Sequence, residues 1–206
     1  VVYLLGKTHM AVGIAATMAI TMPKTIAEAG MAVGIGSVGA LISDIDVESS
    51  GSCRRADRII LLVSATAAIL LAMDYFWGMD FLQRVAGNGE AARVLMGVLL
   101  FVGTCVFGKG QPHRSFMHSF LALALLDAAL ALAFPAFVPY FTVGFLSHLA
   151  IDILNQKKVR LLYPWKQGFC LGWCHARGLA DRLLCAAGYA MSILLSIKAL
   201  FGMAGR

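Results

Sequence analysis

Charged side chains are scarce in this 206-residue chain, at 14% of positions, where a soluble domain carries about 25%. That deficit excludes a water-coated globule, because hydrophobic residues fill 60% of the positions and mean hydropathy is +0.80. A cleavable signal peptide is not expected either. The start has no charged segment and no small-residue cleavage site, and the polar pair Thr8-His9 interrupts it early. No Ser/Pro-rich linker or shift in composition divides the chain, so a single membrane-embedded domain over residues 1–206 is expected. The five cysteines, Cys53, Cys105, Cys170, Cys174 and Cys185, are an odd number and fall mostly near one membrane face, which argues against a disulfide framework. Cys170, Cys174 and His175 could form half of a metal site, but no second Cys/His cluster completes it, and apolar packing at the membrane surface is the simpler reading. The Gly-rich run 30–39 lacks the Lys-Ser/Thr of a phosphate loop. It reads as close helix packing through small residues.

What the chain does have is long apolar runs. Five cover 59–76, 91–107, 117–134, 137–154 and 183–201, each about the 17–25 residues that a hydrocarbon core requires. Two shorter Gly-rich segments, 8–22 and 29–43, read as short spans or as half-membrane helices supported by the others. The expected fold is all-α: a polytopic transmembrane helical bundle of about five long hydrophobic helices plus two short N-terminal ones. If all seven cross, one face receives only Lys24, Arg84, Arg93, Lys198 and Arg206, and the other twelve of the 17 basic residues gather opposite. The positive-inside rule makes the basic side cytoplasmic. The net charge of +6 then reads as topology and as contact with anionic membrane lipids. The basic residues flank spans and do not interleave with exposed aromatics, so nucleic acid is not expected as a partner.

Ionisable residues in membrane segments are costly and mark function. All five histidines, His9, His113, His118, His148 and His175, fall at the basic face, together with Asp44 and Asp46. His148 and Asp152 are four apart, hence on one side of a helix and one turn separated. A divalent cation takes imidazole nitrogen and carboxylate oxygen. His9, Asp44, Asp46, His113, His118, His148 and Asp152 make seven candidate ligands. One zinc needs only three or four, so the count favours two ions, an arrangement that activates water and clamps both oxygens of a displacement at a phosphate ester. Asp44 or Asp46 is the alternative general base, and Arg114 the candidate group for a substrate phosphate. Each element alone has a plainer reading: a histidine bonding a headgroup, an acid pair ending a helix, a His/Asp pair tying helices together. Their conjunction favours the metal site. Asp127 lies ~13 Å beyond His118 along its helix, too deep for the same metal, and is expected to pair with a polar group in the bundle. The segment 161–165, Leu-Leu-Tyr-Pro-Trp, reads as an interfacial aromatic anchor.

Taken in order, Thr8-His9, Ser43-Asp44-Ile45-Asp46, the block HRSFMHS at 113–119, SHLAID at 147–152 and Leu161-Leu162-Tyr163-Pro164 resemble the LexA-binding, inner-membrane-associated family of metal-dependent hydrolases, the YdjM-like family. The similarity runs from about His9 to Trp165. It implies a multi-pass protein of the cell inner membrane with a His/Asp metal centre, and more distantly it is similar to zinc-dependent phospholipase C. The family's acidic block reads Pro-Asp-x-Asp-His. Here Ser43 stands for the proline and Val47 for the histidine, and Met117 replaces the threonine of HRxxTHS. Loss of that histidine leaves one ion or two open.

The function expected from these residues is a membrane-embedded metal-dependent hydrolase with zinc, or else manganese, acting on a phosphate ester of a lipid or lipid-like substrate at the cytoplasmic surface. A divalent-cation transporter is the alternative from another class. Against it, the ligands cluster at one face and no internal repeat is evident. A non-catalytic membrane scaffold or regulator is the third reading.

Overall fold

The computed structural model describes residues 6–47, 80–173 and 178–204 and scattered positions between 54 and 76. A chain this apolar must satisfy its backbone N–H and C=O groups internally, and the helix does so within one segment. The described residues accordingly form helices α1 (Gly6–Thr21), α2 (Ile26–Ile42), α3 (Phe81–Gly87), α4 (Gly89–Lys109), α5 (Phe120–Ala133), α6 (Val138–Leu154) and α7 (Leu179–Ala204), with no strand among them. Short polar side chains set the starts. Thr25 accepts from the Glu28 amide before α2, and Asn88 accepts from the amides of Glu90 and Ala91 before α4.

Among the described residues, four stretches are long and apolar enough to cross a membrane: Ile26–Asp46, Gly89–Lys109, Pro135–Leu154 and Leu179–Ala199. The second Gly-rich segment is therefore longer than its sequence suggested, because a 3-10 turn, Ser43–Asp46, continues α2. The run 117–134 departs the other way. Phe116–His118 forms a 3-10 turn, and Ser119, in extended conformation, accepts from the Ala122 amide at 3.2 Å, so the helix begins only at Phe120. The run 59–76 lies largely outside the described residues.

Small residues bring three helices into backbone contact, as the 30–39 run suggested. A Cβ on Gly39 of α2 would collide with the Phe141 carbonyl of α6, one on Gly144 with the Gly36 carbonyl, and one on Gly13 of α1 with the Ala40 side chain. α2 thus packs backbone to backbone against α6 and through small side chains against α1, which itself touches α6. The main apolar cluster holds Ile45, Phe116, Met117, Leu126, Phe141, Phe145 and Leu149. Several of these adjoin Asp44, Asp46, His118 and His148 in sequence, so the core itself fixes the backbone that carries the polar residues. Deeper in the bundle, the Thr142 hydroxyl donates to Asp127 at 2.8 Å, the polar partner expected for that acid. The start of α1, the end of α2, the turn before α5 and the end of α6 meet at one end of the bundle.

Candidate metal centre

All seven residues singled out as ligands come together at that end. His148 and Asp152 project from the last turns of α6, His9 from the first turn of α1, Asp44 and Asp46 from the 3-10 turn after α2, and His113 and His118 from the segment before α5. His9, His118, His148 and Asp152 are buried, the two central histidines completely. The side chains of Asp44 and His113 keep 19% and 20% exposure, which makes that edge the approach from solvent.

The His148 ring is held by the backbone of α2. Its Nδ1 lies 2.7 Å from the Ala40 carbonyl, and a carbonyl only accepts, so Nδ1 carries the proton and Nε2 is left with a lone pair. That lone pair points at His118 Nε2, 3.3 Å away. Asp152 Oδ2 is 3.2 Å from His118 Nε2 and 3.8 Å from His148 Nε2. Asp44 Oδ1 is 3.9 Å from the first and 3.8 Å from the second. A tetrahedral shell with bonds of about 2.0–2.2 Å has edges of about 3.3–3.6 Å. Three donor atoms from two elements, those of His118, His148 and Asp152, therefore stand near the spacing of such a shell, with Asp44 Oδ1 farther out beside both histidines.

The other residues surround this group. His9 stacks on His148 with ring centres 4.1 Å apart and places Nε2 3.6 Å from Asp152 Oδ1. Asp46 stands between two histidines: Oδ1 is 2.8 Å from His113 Nδ1, and Oδ2 is 3.6 Å from His118 Nδ1. His9, Asp44 and His148 form one set of close donors, Asp44, His113 and His118 a second, and His118, His148 and Asp152 a third. The carboxylates of Asp152 and Asp46 both face the buried His118 imidazole. A site that gathers carboxylates around buried imidazoles calls for positive charge at its centre. The buried His9 Nδ1 lacks a hydrogen-bond partner, so the ring is not spent on a neighbour from that side. The residues present fit a divalent cation.

Arg114 is anchored within the site. Its side chain is 5% exposed, Nη2 donates to Asp152 Oδ1 at 3.0 Å, and Nη1 donates to the Lys157 carbonyl at 2.6 Å. The guanidinium is turned inward onto a donor-set carboxylate, not outward toward a substrate phosphate. Its backbone is left-handed, with φ of 64°, a conformation that costs a non-glycine residue of order 1–3 kcal/mol. The two side-chain bonds and the Arg160 amide, which donates to the Arg114 carbonyl at 3.0 Å, hold it there. The partner lies 38 residues away in sequence, so nothing local in HRSFMHS announced the contact. Sequence reasoning also passed over the Ala40 carbonyl that sets the His148 tautomer, which no side-chain pattern can signal. Cys170 is a half-buried free thiol, while Cys174 and His175 lie outside the described residues.

Fold and site together define an all-helical membrane protein with a buried His/Asp cluster at one end of its bundle. The profile of the YdjM inner membrane protein family matches residues 4–203, and the chain belongs to that family. It is thus an inner-membrane protein with several candidate spans. No curated protein and no solved structure matches it.

Proposed function

We propose that this protein is a membrane-embedded metal-dependent hydrolase acting on a phosphate ester of a lipid or lipid-like substrate at the cytoplasmic membrane surface. The observation that carries the reading is the facing pair of Nε2 atoms, with the Nδ1 of one committed to the Ala40 carbonyl, and Asp152 at ligand-to-ligand spacing from them with Asp44 nearby. His118, His148, Asp152 and Asp44 would hold one zinc or manganese ion, and His9 is the nearest further donor for a second. When bound, such an ion supplies Lewis-acid activation of water and of a phosphoryl oxygen.

The chain's own residues divide the remaining work. Asp46 orients His118 from behind and is itself held by His113, the carboxylate–histidine arrangement that fixes ring and tautomer at metal sites. Arg114 does the same for Asp152 and neutralises part of its charge. Asp44 sits at the exposed edge, and of the two acids in its turn it is the one placed to accept a proton from entering water. Lys157 and Lys158, exposed on the loop after α6, draw anionic headgroups to that edge, each worth about 1 kcal/mol near the surface.

The test incubates metal-loaded protein with a panel of phospholipids and isoprenoid phosphates and looks for cleaved product by mass spectrometry. Product that disappears in Asp44→Asn supports the reading. If nothing is cleaved while a radioactive divalent cation accumulates in protein-loaded vesicles, the protein is a transporter.

A further inference from the structure

A second polar feature lies beside the His/Asp cluster but faces away from it. The Thr8 hydroxyl donates to Asp181 Oδ1 at 2.6 Å, joining the first turns of α1 and α7 across 173 residues of sequence, and both side chains are buried. From there the two helices run parallel. Gly188 abuts the backbone of Ala11 and Val12, and Ser192 donates to the Ala11 carbonyl at 3.3 Å. Above the Thr8–Asp181 bond opens a cavity of about 420 Å³, within the range of small-molecule sites. None of the seven cluster residues lines it.

Its described lining has a definite polarity. Lys7 and Arg182, both exposed, adjoin the bonded pair in sequence and line the cavity from α1 and α7 respectively. Against these two cations the described lining sets one carboxylate, Asp181, which already accepts from Thr8. α7 begins here, so the positive end of its macrodipole lies at the cavity. The far wall consists of Ala186 and Tyr189, one turn apart on the exposed side of α7, within a stretch long and apolar enough to cross a membrane. A soluble anion would use the cations and leave that wall bare. An amphiphile with a phosphate head and an acyl chain matches both.

We infer that the α1–α7 cavity binds an anionic glycerophospholipid, its headgroup phosphate between Lys7 and Arg182 and one acyl chain along Ala186 and Tyr189. This site is separate from the His/Asp cluster and does not rest on metal chemistry. The experiment uses the full chain in phosphatidylcholine nanodiscs, titrated with phosphatidylglycerol and read by native mass spectrometry and Tm. One phosphatidylglycerol should bind and raise Tm. The double variant Lys7→Gln/Arg182→Gln should bind it about thirtyfold more weakly, with metal content unchanged. Ala186→Trp, which fills the chain wall and leaves the charges in place, should also lose the lipid, and it keeps the test open if the double variant fails to fold. Equal binding by the variants overturns the inference. So does an equal Tm rise with millimolar inorganic phosphate, which would make the cavity a soluble-anion site.

Discussion

His148 Nε2 and His118 Nε2 face each other at 3.3 Å, and the proton of His148 is committed at Nδ1 to the Ala40 carbonyl. Two imidazoles brought this close in a buried place need a cation or a proton between them. The purified protein is therefore expected to carry near-stoichiometric zinc or manganese, and His148→Ala and Asp152→Ala each to lose it. Elemental analysis of the three proteins checks this. Metal retained in both variants would move these residues to a purely structural role.

Arg114 supports Asp152 through a fork that Lys cannot copy, since Nη1 and Nη2 serve two different acceptors. Arg114→Lys is expected to lower metal affinity about 10–100-fold, the usual effect of removing a residue that orients a ligand. Competition with a chelator measures it. An Arg114 dedicated to substrate phosphate would instead leave metal affinity unchanged and raise KM.

Gly39 and Gly144 sit where α2 and α6 touch backbone to backbone. Gly39→Ala and Gly144→Ala should each destabilise the protein by about 1–3 kcal/mol, the cost of overpacking a filled interior, seen as a lower Tm in detergent. Gly34→Ala makes the control, because a Cβ there meets nothing within 4 Å, and its Tm should hold or rise.

The asymmetry of the basic residues predicts that His9, Asp46, His113 and Lys157 face the cytoplasm. Single cysteines introduced in 47–53 and 155–160 should resist a membrane-impermeant thiol reagent in intact cells and react after permeabilisation. Ready labelling from outside would invert the orientation and, with it, the side from which a substrate arrives.

Much of the architecture could be read from the chain because membrane helices announce themselves by composition alone. The runs at 91–107, 137–154 and 183–201 appear as α4, α6 and α7 with ends moved by a few residues, and Gly36 and Gly39 of α2 pack as small residues should, whereas Gly30 and Gly34 meet nothing. The His148/Asp152 pairing followed from helical spacing and is present. What stayed hidden depended on contacts between distant segments or on backbone groups. The apolar run through Met117 gave no sign that Ser119 would cap a helix and leave His118 in a separate turn. The inward rotation of Arg114, the division of Asp46 between His113 and His118, and the Thr8–Asp181 bond arise only once four helix ends meet.

The late start of α5 reaches beyond the protein. A helix of 14 residues rises about 21 Å, well short of a hydrocarbon core of about 30 Å. Such hydrophobic mismatch is relieved by thinning of the adjacent leaflet, at fractions of a kcal/mol per Å. His118 stands in the turn just before that short helix, so if α5 crosses the membrane the leaflet would dip toward the histidines on this flank. On the proposed function, such thinning would let a headgroup phosphate meet the donor set while its chains remain among their neighbours.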